Sequence, residues 1–306
     1  MILTERDCTV LKILRRYKFL TTAQIRSVCF PKDKDGSTTR DRLRKLEAAG
    51  YAGRRRAEVA NPQTSNTIPV WMPTEQGCCA LATRWDDMQY LLDHPINNSS
   101  WQNLAHYVEV SSLHLKMDQA IARQTWVKLQ QTFFEHDIIN PDADSPADRY
   151  RLHTVVSSSP KKIICAPDSP FEIEVNGFRR AFFVELERGT DSPKRILVKK
   201  HQGFHFLHKN QLFRKHFPQA HDMRVLMFSP TPRWRDALRK AARRKPGTEE
   251  FWLFCALSEL TVESFLHGEI FWTVSGDSSR PFVRPVGSPA SGEGDGEGEQ
   301  GGTTGT

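Results

Sequence analysis

Three carboxylates near the middle of the chain have the types and the spacing to bind a metal ion. Asp168 follows Ala166-Pro167 at the predicted start of a strand, and Glu185 and Glu187 lie in a later predicted strand. Because side chains along a strand alternate between its faces, Glu185 and Glu187 are expected to share one face. Carboxylate oxygens suit Mg²⁺, which would stabilise the charge that develops on an attacked phosphate. The three residues therefore predict a Mg²⁺-dependent phosphodiesterase site; the alternative is an ordinary strand with solvent-facing glutamates.

Two neighbouring lysines offer the positive charge that this chemistry uses. Lys199 and Lys200 lie one to two turns into a helix that Ser192-Pro193 is expected to open. A lysine beside the carboxylates can orient the attacking water or neutralise charge. Lys200 shares the apolar stripe of that helix with Leu197. Both lysines are candidates for the catalytic role.

The elements that would position these residues alternate between strand and helix. Periodicity predicts strands at Lys162–Cys165, Phe171–Val175, Arg180–Glu187 and Met223–Phe228. Helices are predicted at Pro193–Leu207 and Trp234–Arg244, and over Leu104–Gln130 as one long helix or two. Asp142–Pro160, rich in Asp, Ser and Pro, is predicted to be an irregular insertion. This order is typical of an α+β or α/β domain.

The first third of the chain predicts three short helices followed by a hairpin. The predicted helices are Glu5–Arg16, capped by Thr4, a second that begins at Thr21-Thr22 and ends before Pro31, and Ser37–Ala49, ended by Gly50. The predicted strands are Tyr51–Val59 and Thr67–Met72, joined by a polar turn and followed by a short helix capped by Thr74. Three helices and a two-stranded wing, in this order, indicate a winged helix-turn-helix.

The third of these helices is the element expected to read DNA. It carries hydroxyl and basic residues around a leucine stripe: Thr38, Thr39, Arg40, Arg42, Arg44 and Lys45. Its N-terminal groups can meet phosphate, and arginine forks can reach guanine edges in the major groove. Arg54 and Arg55 lie at the root of the wing, where backbone phosphates are expected. The alternatives are a protein-docking module and a solvated arginine-rich edge.

The charge of the chain favours a polyanionic partner. The net charge is +7, although Gly287–Thr306 holds four acidic residues and no basic one, so the rest of the chain carries +11. Lysine and arginine release counterions when they bind phosphates, which favours nucleic acid. Many soluble proteins are nevertheless basic without binding nucleic acid.

Hydropathy and cysteine spacing exclude several classes of protein. No apolar run approaches the roughly 18 residues of a membrane span, and Glu5 and Asp7 interrupt the region where a secretory signal would have its apolar core. We therefore expect a cytoplasmic protein with no membrane partner. The six cysteines form no CxxC pair and are expected to be reduced and mostly buried, with a zinc site as the alternative.

Composition and pattern together divide the chain into four segments. They are a winged helix-turn-helix domain at 1–85, a polar linker at 86–103, a mixed α/β domain at 104–286, and a disordered acidic, glycine-rich tail at 287–306.

Several short motifs resemble the bacterial replication-relaxation family. They are Leu3–Asp7, Phe19–Thr22, Ser37–Gly50, His106–Leu115, Ala166–Asp168, Phe182–Thr190 (FFVELERGT) and Arg224–Arg233 (RVLMFSPTPR). They run through most of the chain, and their order is the specific signal. The resemblance implies a winged helix joined to a restriction-endonuclease-like domain similar to PD-(D/E)xK nucleases, with Asp168 and Glu185 as metal ligands.

One residue departs from that nuclease pattern. Glu187 occupies the position that usually holds lysine. Activity would then need a lysine from the following helix. Lys199 matches the position that the family pattern gives, and Lys200 lies on the apolar stripe of that helix. Otherwise the domain is a non-catalytic relative.

Three functional hypotheses follow. The leading one is a protein of a plasmid, phage or other mobile element that binds double-stranded DNA and acts in DNA replication or relaxation, or in its control. The second is a Mg²⁺-dependent DNA nuclease or nickase that the winged helix delivers to its site. The third is a non-catalytic protein-interaction scaffold. A homo-oligomer, or a partner protein in replication or mobilisation, is compatible with each.

Overall fold

The chain folds as an α+β protein with helices at its N-terminus, as predicted. The computed structural model describes residues 1–58, 67–91, 103–135, 137–140, 142–159, 161–189, 191–249 and 251–283. Three predicted features lie wholly or mostly outside the described residues: the polar turn of the wing, the linker after residue 91 and the acidic tail at 287–306.

The N-terminal unit begins with the three predicted helices. They are α1 (Glu5–Tyr17), α2 (Thr22–Cys29) and α3 (Ser37–Ala48). The side chain of Thr4 accepts a hydrogen bond from the backbone N–H of Asp7, whose carboxylate accepts one from the backbone N–H of Thr4 in return. Thr21 and Gln24 form the same capping box at α2. These reciprocal bonds satisfy N–H groups that a helix leaves unpaired, which explains why both helices start where predicted.

A small antiparallel sheet completes the N-terminal unit. Its strands, in spatial order, are β1 (Leu20–Thr21), β3 (Thr67–Pro73) and β2 (Ala52–Glu58). Helix α4 (Glu75–Trp85) follows, and its cap residue Thr74 accepts from the N–H of Gly77. The sequence predicted both β2 and β3 and the short helix after them.

The segment predicted as helix from Leu104 to Gln130 divides into a helix and a strand. Helix α5 spans Leu104–Ala122, and strand β4 spans Val127–Thr132. The helical prediction for the last residues was wrong because Val127 and Leu129 alternate with polar residues, as a strand with one buried face requires. β4 pairs antiparallel with the strand Ser169–Val175.

Among the described residues, seven strands form the main sheet. Besides β4 they are β7 (Ser169–Val175), β8 (Phe178–Leu186), β9 (Asp222–Ser229), β10 (Trp252–Ala256), β11 (Phe271–Trp272) and β12 (Ser279–Arg280). Their spatial order is β12-β11-β10-β9-β8-β7-β4. β8, β9 and β10 run parallel, whereas β4, β7, β11 and β12 pair antiparallel.

The remaining elements surround this sheet. They are α6 (Pro146–Arg149), β5 (Thr154–Ser157), β6 (Ile163–Cys165), α7 (Pro193–Lys209), α8 (Pro232–Ala242) and α9 (Ser264–His267). β5 and β6 pair with each other, so the predicted irregular insertion contains a short helix and a strand. Helices α7 and α8 are close to the positions that the sequence predicts.

The alternation of β8 decides which of its residues face α7. Phe183 packs in one hydrophobic cluster with Leu197 and Phe204 of α7, whereas Phe182 and Val184 belong to the cluster on the other face. Glu185, two residues after Phe183, therefore faces α7 as well. This register brings a carboxylate of the sheet under a helix that carries lysines.

Helix α5 contacts both the N-terminal unit and the main sheet. The hydroxyl of Ser111 donates to the carbonyl of Tyr17 at 3.1 Å, and Tyr107 stacks on Phe19 with 5.3 Å between ring centroids. On the sheet side, His114 Nε2 lies 2.6 Å from the hydroxyl of Ser169. The N-terminal half of α5 is therefore held between the predicted DNA-binding unit and the sheet.

All six cysteines lie in the described residues and all are free. Five are buried, and only Cys79 is exposed, as expected for reduced thiols that pack as small apolar groups. Burial raises the pKa of the Cys29 thiol to about 12. In the part of the chain that the structure describes, the helices are too short or too polar to cross a bilayer.

Candidate functional site

Asp168, Glu185 and Lys200 meet where β7 begins and β8 ends; we call them the carboxylate–lysine cluster. Ser169 pairs with Val184 across the two strands, which places the preceding Asp168 beside the end of β8. The carboxylate of Asp168 accepts a hydrogen bond from the backbone N–H of Leu186 at 2.6 Å. This bond fixes the orientation of a side chain that is almost fully buried.

The structure brings Lys200, and not Lys199, to the carboxylates. Lys200 Nζ lies 2.7 Å from Glu185 Oε2 and donates to the carbonyl of Ala166 at 3.4 Å. Lys199 points outward with 60% of its side chain exposed, and its Nζ lies 2.9 Å from a carboxylate oxygen of Asp191. The apolar stripe of the helix, which favoured Lys200, therefore agrees with the geometry. The register of the family, which favoured Lys199, does not.

Glu187 lies just beyond the end of β8. Its backbone N–H donates to the carbonyl of Phe228 at 2.8 Å, and its carboxylate accepts from the N–H of Gly189 at 2.8 Å. Gly189 has a φ of +77°, a conformation that favours glycine. Glu187 thus stabilises the turn after the strand, whatever further role it has.

Two residues that sequence reasoning did not select lie beside Asp168. His106 comes from the first turn of α5, and its Nε2 is 3.4 Å from Asp168 Oδ1 and 3.7 Å from Glu135 Oε1. Glu135 follows β4, and its backbone N–H donates to the carbonyl of Asp168 at 2.9 Å. A ligand atom from each of the three residues lies within 4.8 Å of the others.

Burial and mutual charge shift the ionisation of these groups. Burial raises the pKa of Glu185 to about 8 even though Lys200 opposes the shift, and burial together with Asp168 raises that of Glu135 to about 7. Burial alone would raise the pKa of Asp168. The contacts with His106 and Lys200 lower it, and the resulting pKa lies below the ordinary value. For His106, burial lowers the pKa, but the hydrogen bond to Asp168 and the negative charges of Asp168, Glu135 and Glu185 together outweigh it, and the pKa is about 9. Perturbations of this kind are typical of functional sites.

Most of the predicted DNA-reading residues are exposed on α3 and β2. The exposed members are Thr38, Arg40, Arg44, Lys45, Arg54 and Arg55. Arg44 pairs with Asp41 at 3.2 Å, and Arg54 with Glu47 at 3.1 Å, both at positions open to solvent. Exposed pairs of this kind are weak, so these guanidinium groups are accessible to phosphate.

Thr39 and Arg42, also predicted to read DNA, are engaged inside the N-terminal unit. The hydroxyl of Thr39 is buried and donates to Asp33 at 2.6 Å. Arg42 is half-buried and forms a forked pair with the buried carboxylate of Asp7 on α1. Burial opposes ionisation of Asp7, but the bonds from Arg42 and Thr4 hold its pKa below the ordinary value.

A comparison with protein-family models matches residues 11–220 to the replication-relaxation family. The chain belongs to the replication-relaxation family. The matched range contains α3, β2 and all five residues at or beside the carboxylate–lysine cluster. A search of curated proteins found no match to this replication-relaxation protein.

The sequence of this replication-relaxation protein contained a weak signal for the two residues that were not selected. His106 begins one of the motifs shared with the family, His106–Leu115, and a histidine in the first turn of a mostly apolar helix is noticeable. Glu135 lies between the predicted helix, which ends at Gln130, and the predicted insertion, which begins at Asp142. No element was predicted there, so Glu135 had no expected place beside the sheet.

The pair of Arg42 and Asp7 is expected to stabilise the N-terminal unit. Asp7→Ala leaves a half-buried guanidinium without its partner and opens the capping box of α1, so the free energy of unfolding should fall by about 3 kcal/mol. Denaturant unfolding followed by circular dichroism measures this. Glu5→Ala is the matched control, because Glu5 pairs with Arg84 in solvent and should change stability by less than about 1 kcal/mol. Equal small losses in the two variants would contradict the structural role.

Proposed function

We propose that this replication-relaxation protein binds double-stranded DNA through its N-terminal unit and acts in the replication or relaxation of a plasmid, phage or other mobile element. The observation that carries the proposal is the set of exposed basic residues on α3 and β2: Arg40, Arg44, Lys45, Arg54 and Arg55. The charge of +11 outside residues 287–306 supports a polyanionic partner.

The arrangement of these residues suits the two kinds of contact that a DNA-binding protein makes. Arg40 and Arg44 are four residues apart on α3 and therefore share one helix face. Arginine forks on such a face can reach guanine edges in the major groove. Arg54 and Arg55 on β2 are suited to phosphates of the flanking backbone.

Binding to duplex DNA at several salt concentrations tests this proposal. We expect measurable affinity for duplex DNA in a gel-shift or filter-binding assay, with log Kd increasing linearly with log salt concentration as counterions are released. A protein without salt-dependent affinity for any duplex would remove the proposal. The same N-terminal unit would then be interpreted as a protein-docking module, in favour of the interaction scaffold.

Single substitutions on α3 should separate base reading from phosphate binding. Arg40→Ala or Arg44→Ala is expected to weaken binding to a preferred sequence by about 1–3 kcal/mol and to relax its specificity. Lys45→Ala is expected to weaken all duplexes about equally, because a lysine that contacts phosphate carries no sequence information. Gel shifts on a panel of duplexes measure both effects. Negligible losses in all three variants would show that α3 does not read DNA.

The second candidate function, metal-dependent cleavage or nicking of DNA, is favoured by the carboxylate–lysine cluster. Asp168 and Glu185 come from adjacent strands and Lys200 from α7, and all three are close together. The Oε1 atom of Glu185 is buried and has no hydrogen-bond partner among the described residues. Buried oxygens normally have a partner, so this atom fits a site that holds a cation.

Each residue of the cluster would have its own role in that reaction. Asp168 and Glu185 would hold Mg²⁺, with Asp168 oriented by its bond from the Leu186 N–H. When bound, Mg²⁺ supplies polarisation of a phosphoryl oxygen and lowers the pKa of a bound water. Lys200 keeps the position of Glu185 and offers a positive charge that can stabilise a phosphate in the transition state. This assignment does not use Glu187, whose carboxylate accepts from the N–H of Gly189.

Cleavage assays with the full chain test the second function. Supercoiled, linear and single-stranded DNA are incubated with Mg²⁺ or Mn²⁺ across neutral pH, with a chelator as the control. Metal-dependent nicking that the chelator abolishes would support it. Uncut DNA, together with calorimetry that detects no metal binding by the full chain, would remove it and leave binding alone.

A further inference from the structure

A nitrogen ligand lies next to the carboxylates that we propose for Mg²⁺. His106 Nε2, Glu135 Oε1 and Asp168 Oδ1 come from three elements far apart in the sequence, yet the ligand atoms offered by these residues lie within 4.8 Å of one another. Their side chains are 17%, 26% and 10% exposed, so the group is neither open to solvent nor sealed from it.

Contacts other than those among the three ligand atoms hold these residues in place. Tyr107, next to His106, stacks on Phe19 and fixes the start of α5. The N–H of Glu135 binds the carbonyl of Asp168, and the carboxylate of Asp168 binds the N–H of Leu186. Ligand positions fixed in this way reduce the ordering cost of binding an ion.

A second observation is a buried carboxylate oxygen in this region that has no hydrogen-bond partner among the described residues. Glu185 is 4% exposed, and its Oε1 has no partner among the described residues. A divalent cation nearby would compensate this buried carboxylate, because buried charges in proteins are normally paired or bound to metals.

The chemistry of the ligands selects among divalent cations. Mg²⁺ prefers oxygen ligands in a near-ideal octahedron, whereas imidazole suits first-row transition metals. We propose that His106, Glu135 and Asp168 form a site for a divalent transition-metal ion such as Mn²⁺, in which the imidazole favours that ion over Mg²⁺. The inference rests on the proposed nuclease function for its catalytic meaning, because the two sites share Asp168, but metal binding itself does not require cleavage.

Mn²⁺ titration of the full chain, followed by electron paramagnetic resonance, tests the site without any DNA. We expect Mn²⁺ to bind at least about tenfold more tightly than Mg²⁺ in competition, and the bound ion to show coupling to a ¹⁴N nucleus of imidazole. His106→Gln should remove that coupling and weaken Mn²⁺ binding by about tenfold or more. Glu135→Gln should weaken Mn²⁺ binding while leaving the nitrogen coupling in place.

A matched histidine variant identifies the source of the nitrogen signal. His201 lies on α7, and its Nε2 is 3.0 Å from the carbonyl of Pro246. His201→Gln should therefore keep both the affinity and the coupling. Thermal unfolding of each variant identifies those that fail to fold. If His106→Gln fails to fold, the presence or absence of nitrogen coupling in the wild-type chain decides whether the site holds Mn²⁺ through an imidazole.

The outcomes separate this inference from the proposed nuclease. Bound Mn²⁺ without nitrogen coupling, or an unchanged affinity in a folded His106→Gln variant, would overturn the His106 site even if DNA is cleaved with Mg²⁺. Nitrogen-coupled Mn²⁺ that His106→Gln abolishes would support the site even if no DNA is cut, and the nuclease proposal alone would then fail.

Discussion

An Asp168→Asn variant is expected to lose metal-dependent DNA cleavage while it keeps its affinity for duplex DNA. Asparagine has the size of aspartate and its amide oxygen can still accept the bond from the Leu186 N–H, so the main change is the loss of one negative charge. Losing a preorganised group costs about 10²–10³ in rate, and losing a metal costs more. Affinity should change by no more than about twofold, because distant sites contribute independently. Plasmid nicking and gel shifts on the same preparations measure both quantities.

A carboxylate at the other end of the same strand provides the matched control. Glu174 lies near the end of β7, away from the cluster, and its carboxylate accepts from Arg179 Nε at 2.8 Å. Glu174→Gln should therefore keep full cleavage. If Asp168→Asn cuts as fast as Glu174→Gln, or if it loses duplex affinity as well, the assignment of Asp168 to the metal would be contradicted.

Local signals in the sequence were sufficient for most of the elements. Thr4 with Asp7 and Thr21 with Gln24 placed two helix starts correctly, because capping bonds involve residues only three apart. The apolar run around Phe183 likewise placed β8. Asp168 was selected at the start of one predicted strand and Glu185 on one face of a later strand, and the structure brings them close to each other.

Relations between distant elements could not be predicted from one sequence. The apolar stripe of α7 favoured Lys200 and the register of the family favoured Lys199, and only the packing of the helix on the sheet decides between them. His106 lies beside the carboxylate–lysine cluster only because α5 packs next to β7, about sixty residues later in the chain. Arg42 could not be told from its exposed neighbours on α3 until Asp7 of α1 was known to lie against it.

The second large effect is expected from the two lysines of α7. Lys200→Met keeps an unbranched side chain of similar length but removes the charge next to Glu185, so the cleavage rate should fall by about 10²–10³. Lys199→Met should cleave at nearly the wild-type rate, because Lys199 is exposed and its pair with Asp191 contributes at most about 1 kcal/mol to stability. Initial rates of plasmid nicking at saturating Mg²⁺ measure the difference between these adjacent substitutions.

Stability must be separated from chemistry in the Lys200→Met variant, because it leaves a buried carboxylate without its cation. Burial already raises the pKa of Glu185 to about 8, so this carboxyl can take up a proton near neutral pH and avoid most of the cost of an unpaired charge. We therefore expect Lys200→Met to fold, which a thermal melt checks, and Lys200→Arg to recover part of the rate through its positive charge. A folded Lys200→Met variant that cleaves normally, or a Lys199→Met variant that does not cleave, would show that Lys200 does not supply the catalytic charge.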